Sequence, residues 1–176
     1  DFHIEAYESR AATLGEKHPS TLLSMAGYAN SLTRLQQYDE ARELLARCEA
    51  IATEVLGPDH PRVIETINAQ AMNETRAGAY EKAIDRARIA VDKGIATLGP
   101  EHPLIASYTF NLARAMAKAG RHTEAIPVYA EIVELESKTL PPGHHYRATT
   151  FYEYASSLVE ADDLETADRY ARSAFC

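Results

Sequence analysis

Apolar residues return at helical spacing along most of the chain, as Met25, Tyr28, Ala29 and Leu32 show. Positions i, i+3, i+4 and i+7 share one face of an α-helix. Phe151, Tyr154, Ala155 and Leu158 repeat the pattern near the other end. The strict apolar–polar alternation of a half-buried strand appears nowhere, so the pattern predicts an all-α chain. The first two complete helices are expected at Pro19 to Leu35 and Tyr38 to Leu56. Breaks between paired helices fall at Gln36-Gln37, Gly78, Gly120 and Asp162-Asp163.

Those breaks recur at a fixed interval, and so does a longer motif. LGEKHP (Leu14–Pro19), LGPDHP (Leu56–Pro61) and LGPEHP (Leu98–Pro103) stand 42 residues apart, followed on schedule by the altered LPPGHH (Leu140–His145). Gly15, Gly57 and Gly99 can take the left-handed conformation that closes a helix C-terminus. Pro19, Pro61 and Pro103 suit the first turn of the next helix, where no backbone donor is needed. In the fourth copy Pro141 replaces the glycine and His145 the proline, so that corner should be built differently. The expected organisation is a single array. Residues 1–17 end a preceding repeat, and full repeats follow at 18–59, 60–101 and 102–143. A fourth, incomplete repeat occupies 144–176.

Two small-residue columns run through the array: Ala29, Ala71, Ala113 and Ala155 on the first helix of each pair, and Ala41, Ala83, Ala125 and Ala167 on the second. Small facing residues let helix axes approach to about 8 Å. Together with the Gly78, Tyr80, Ala83 run, these columns resemble the tetratricopeptide repeat. The 42-residue period with its LGPxHP corner is similar to the longer variant of kinesin light chains. The resemblance implies a right-handed superhelical solenoid of antiparallel helix hairpins.

The second unit departs from its neighbours, placing Gln70 and Glu74 where they carry Tyr28, Leu112 and Tyr154 or Leu32, Met116 and Leu158. Polar residues in core columns need partners or a path to solvent, and a locally looser hairpin is the expectation. The chain also starts and stops inside a unit, so Phe2, Tyr170 and Phe175 should be partly uncovered. Self-association through uncapped ends is expected.

A net charge of −8 argues against a nucleic-acid backbone as ligand, since such binding rests on a basic surface. No apolar run is long enough to span a membrane. Two cysteines, Cys48 and Cys176, form no disulfide framework, and their use suits a reducing cytoplasm. His18, His60, His102 and His144 repeat once per unit and therefore form a ladder instead of converging on a metal ion. No phosphate-binding glycine loop, nucleophile elbow or zinc cluster is present, so no cofactor and no enzymatic activity are expected.

The resemblance implies that the first helix of each pair lines a concave surface that binds an extended peptide. On that surface Arg34, Arg76 and Lys118 form a basic ladder, with Arg114 beside it. Asn30, Asn68 and Asn111 could hydrogen-bond a peptide backbone, and Met72 and Phe110 could give apolar contact. The spacing does not reproduce the paired-carboxylate clamp of the family's chaperone-binding members. The leading reading is therefore a scaffold for a protein or acidic-peptide ligand within a larger signalling or regulatory protein. The alternative is a structural or regulatory spacer making intramolecular or self-association contacts.

Overall fold

The computed structural model describes residues 2–141 and 143–174, leaving the side chains at 2 and 174 aside. Nine helices and no strand occur among these residues: α1 (Phe2–Leu14), α2 (Pro19–Arg34), α3 (Tyr38–Leu56), α4 (Pro61–Arg76), α5 (Tyr80–Leu98), α6 (Pro103–Lys118), α7 (His122–Thr139), α8 (His145–Glu160) and α9 (Leu164–Ala174). Each packs on the next in sequence. In addition α2 touches α4, α4 touches α6 and α6 touches α8, whereas no such contact links α3, α5, α7 and α9. The even-numbered helices therefore line the tighter, inner side of the stack and the odd-numbered ones its outer side. Phe2 and Phe175, expected to be uncovered, lie outside the described side chains. Tyr170 is half-buried, its ring centroid 4.6 Å from that of Tyr154.

Both alanine columns are buried from end to end, from Ala29 to Ala155 and from Ala41 to Ala167. The helix starts are capped by a group that the ladder argument leaves unassigned. His18, His60, His102 and His144 are the N-cap residues of α2, α4, α6 and α8. Their Nδ1 atoms accept backbone N–H bonds from Ser20, Arg62, Leu104 and Tyr146 at 3.0–3.3 Å. The imidazole thus satisfies a donor that a helix start otherwise leaves open.

The helix ends show two solutions. Gly57 and Gly99 leave α3 and α5 with φ +91° and +86° and ψ 156°. This is an extended mirror region open essentially to glycine alone, and not the compact left-handed turn expected. The fourth corner differs as anticipated: Leu140 ends α7 in ordinary extended backbone and the positive φ moves to Gly143. Between paired helices the left-handed turn does occur, at Gln36, Gly78, Gly120 and Asp162. The following amide reaches back to the last helical turn each time: Gln37 to Leu32 O, Ala79 to Glu74 O, Arg121 to Met116 O and Asp163 to Leu158 O, all at 2.9 Å. Gln36 and Asp162 hold this turn at the steric cost of a Cβ.

The second unit is not looser than its neighbours. Gln70 and Glu74 are buried because the facing helix α3 carries their partners. Arg42 clasps Glu74 along one guanidinium edge, Nε and Nη2 donating at 2.7 and 3.0 Å, its Nη1 donates to Asp39, and Gln70 Nε2 donates to Glu49 Oε2 at 2.9 Å. One unit on, the same facing positions hold Ile84 against Met116 and Val91 against Leu112, all apolar. A polar pair has replaced an apolar pair on both helices at once. Asn73 adds to the junction, accepting from Thr33 Oγ1 at 2.9 Å and donating to the Tyr38 carbonyl at 3.0 Å.

Two stability measurements check these points. Gln36→Gly should raise the free energy of unfolding by about 1 kcal/mol, because the left-handed turn no longer strains a side chain; denaturant titration reads it. Glu74→Leu alone should cost about 1–2 kcal/mol by removing the bidentate partner of Arg42, which keeps only its exposed pair with Asp39. Exchanging the whole set (Arg42→Ile, Glu49→Val, Gln70→Leu, Glu74→Leu) should recover most of that loss in the same titration.

Candidate functional site

The inner helices each end in a residue that turns outward. Arg34, Arg76 and Lys118 are the last residues of α2, α4 and α6, and all three are exposed. Among the described residues none of them has an ion-pair partner. Each also sits at the negative end of its helix dipole, where a cation is favoured by about 0.3–1 kcal/mol. Glu160 ends α8 instead, so the basic ladder stops after three units.

Between α4 and α6 lies a concavity of about 120 Å³ lined by Met72, Thr75, Arg76, Asn111, Arg114 and Lys118. Five of the residues singled out in the sequence thus meet at one place. Asn68 adjoins them from below: it is buried, and its Oδ1 accepts a bond from Asn111 Nδ2 at 2.9 Å. The two asparagines therefore spend part of their capacity on each other. Arg114 points toward the fourth unit, with Nε 3.6 Å from Glu153 Oε1 and no closer hydrogen bond. Its charge is partly balanced there.

The remaining candidates lie elsewhere. Asn30 and Arg34 are exposed one unit away. Phe110 turns from the concavity into the core, its ring 6.1 Å from that of Tyr129 at 66°. It also lines a second, larger cavity of about 450 Å³ between α6 and α8. That cavity contains a residue the sequence reading passed over, Glu136. This carboxyl group is 5% exposed, accepts from Thr150 Oγ1 at 3.1 Å through Oε1, and leaves Oε2 without a hydrogen-bond partner.

Burial pushes the Glu136 carboxyl above the ordinary range, opposed by the Thr150 hydroxyl and the charge of Arg147. The raised value makes the ionised form the less favoured one in the fold. Its contribution to stability is therefore largest below the ordinary glutamate value, about 4.3. It is lost as pH rises from there through the raised one.

The half-apolar groove built from inner helices sets the context for comparison with known proteins. The tetratricopeptide repeat model matches residues 22–93. Residues 22–93 carry tetratricopeptide repeats. A Podosopora anserina protein, described as a kinesin light chain with nearly identical TPR-like repeats, superposes on it with a TM-score of 0.78. Identity is 26%, and the match covers 98% of this chain and 81% of that one. BtubC (BKLC) from P. vanneervenii gives 0.81 at 20% identity over 98% of this chain and 68% of that one. Bacillus thuringiensis PlcR, in complex with the peptide PapR7 and DNA, gives 0.76 at 17% over 99% and 64%. The last two likenesses concern the fold. No curated protein matches the chain in sequence. The matched repeats and the 26%-identical neighbour make the chain similar to kinesin-light-chain-like interaction scaffolds, and among the described residues no helix is long and apolar enough to cross a membrane.

The Glu136 environment gives a pH test. The stability of the protein relative to its Glu136→Gln variant should fall as pH rises from about 4 to about 7. Paired denaturant titrations across that range read the slope, and a flat difference would contradict the raised value.

Proposed function

We propose that the concave groove of the first three units binds an extended, acidic or acid-flanked peptide, as part of a larger signalling or regulatory protein in the cytoplasm. The carrying observation is the row of exposed, unpaired cations Arg34, Arg76 and Lys118 on the inner helices of a chain with net charge −8. Arg76 and Lys118 flank the concavity where Met72 offers apolar contact and Asn111 a side-chain amide. Asn30 and the remaining capacity of Asn68 supply backbone contacts, Arg114 adds charge, and Phe110 borders the path toward the fourth unit. Glu153 and Glu160 make the fourth unit's inner face acidic, which orients the peptide with its acids toward the N-terminal units.

PlcR, which shares the fold, is described with both a peptide and DNA. The overall negative charge of the present chain favours a peptide over a nucleic-acid backbone. A spacer is the second reading, favoured by the placement of all three cations at helix C-termini, where they also serve the helix dipole.

A peptide-display screen separates the two. The parent should enrich acidic sequences, and binding should weaken as salt screens the exposed charges. Arg34→Glu with Arg76→Glu and Lys118→Glu should weaken selected peptides at least about tenfold, at roughly 0.5 kcal/mol per rim charge, while helicity by circular dichroism stays near the parent's. Unchanged binding by the triple variant, or no acidic preference in the parent, overturns the groove reading in favour of the spacer.

A further inference from the structure

Each outer helix presents one position to the inner helix that follows, and the pairing can be read in register along the chain. Arg10 faces Ser24, Gly94 faces Tyr108 and Glu136 faces Thr150, each pair 42 residues from the next equivalent one or a multiple of it. The last two pairs exchange bulk: a Cβ on Gly94 would meet the Tyr108 ring at 3.0 Å, and where Thr150 replaces that tyrosine the facing residue grows from glycine to glutamate. The exchange is incomplete, however. Arg147 stands where the preceding units bury Val63 and Ile105. It is drawn aside, with Nη1 donating to the Leu140 carbonyl at 3.4 Å and Cζ 5.8 Å from the Phe151 ring. The cavity of about 450 Å³ is the space left over.

Its chemistry is specific. Phe110, Leu140 and Tyr146 give apolar and aromatic walls, Thr149 contributes a hydroxyl, and Glu136 supplies a carboxylate oxygen that has no donor. A buried carboxylate in such a setting requires a donor or a cation. The volume is that of a small-ligand site, much larger than one water needs. Ser107, Phe110 and Thr149 belong to inner helices, so the cavity opens on the concave side.

We propose that this cavity seats an arginine side chain of a bound peptide, with Glu136 as its carboxylate partner. A guanidinium carries five donors and no acceptor, and its flat face stacks on aromatic rings. Among the lining groups, Oε2 of Glu136 accepts one N–H, the hydroxyls of Ser107 and Thr149 can accept others, and Phe110 and Tyr146 flank the plane. Arg147, His144 and His145 are the basic groups nearby. Arg147 is held on Leu140 and Phe151, and the Nδ1 of His144 is occupied by the Tyr146 amide.

The inference shares the concave side with the acidic-peptide groove but needs none of its cations. Peptides without acids therefore test it separately. Acetylated and amidated Ala-Ala-Xaa-Ala-Ala peptides, with Xaa arginine, lysine, citrulline or norleucine, would be titrated into the full chain by calorimetry. Amide shifts of Tyr146 and Thr149 would be followed in parallel by NMR. The arginine peptide should bind at least tenfold more tightly than the citrulline peptide, which has the same shape without charge, and should shift both amides. Glu136→Gln should erase that difference. Ser107→Trp, which blocks the mouth without touching Glu136, should abolish binding and so covers the case in which the first variant fails to fold. Equal binding of arginine and citrulline, equal binding of lysine, binding untouched by Ser107→Trp, or n-butylguanidinium binding as well as the peptide would each overturn the assignment.

Discussion

Close approach of paired helices at alanine is the constraint on which the molecule rests. With Ala29 and Ala41 both fully buried, and their copies buried at 42-residue steps, small side chains set a repeating thickness for each hairpin. Fixed thickness makes every unit stackable on the next, and stacking is what buries the larger side chains of an otherwise open hairpin. The sharing of contacts follows. Inner helices meet one another and outer helices do not, so the stack curves and acquires an inner surface. The basic ladder and both cavities are possible only because that surface exists.

Much of this was legible in one dimension. Periodicity located the helices, with α2 and α3 matching the expected spans to within a residue, because glycine and proline punctuate the chain at each corner. The basic residues could be aligned because a repeat places equivalent positions on equivalent faces. Phe110 divides its contacts between core and cavity because neighbouring positions on a helix point about 100° apart, and the step back from Asn111 turns its ring toward Tyr129. Asn68 and Asn111 are 43 residues apart, one more than the period, and that single step lets them pair across units.

The polar second unit was misread because each column was taken alone. Gln70 and Glu74 look like defects until Glu49 and Arg42, on the helix they face, are placed beside them. The same reading would have found Glu136, whose column holds Ala52 and Gly94 in the two preceding units and whose facing column exchanges Tyr108 for Thr150. In a stacked fold the informative unit is the pair of facing columns, since a change on one helix is answered on the helix it meets, as Arg42 answers Glu74. The histidine caps escaped for a different reason. A side chain that accepts a bond two residues downstream leaves no mark on the hydrophobic pattern.

The junction built from Arg42, Glu49, Gln70 and Glu74 also bears on how the array assembles. Hairpins of equal thickness are in principle interchangeable, and a chain of near-copies could stack out of order or trade hairpins with a neighbouring molecule. Were the helix carrying Arg42 to meet Met116 in place of Glu74, the cation would lose its bidentate partner to thioether and aliphatic carbon, with only the exposed Asp39 left to it. At the α3–α4 junction only the native neighbour matches cation to anion, whereas the later junctions are apolar at the same positions. Four residues thereby act as a key that admits the correct neighbour and rejects its look-alikes.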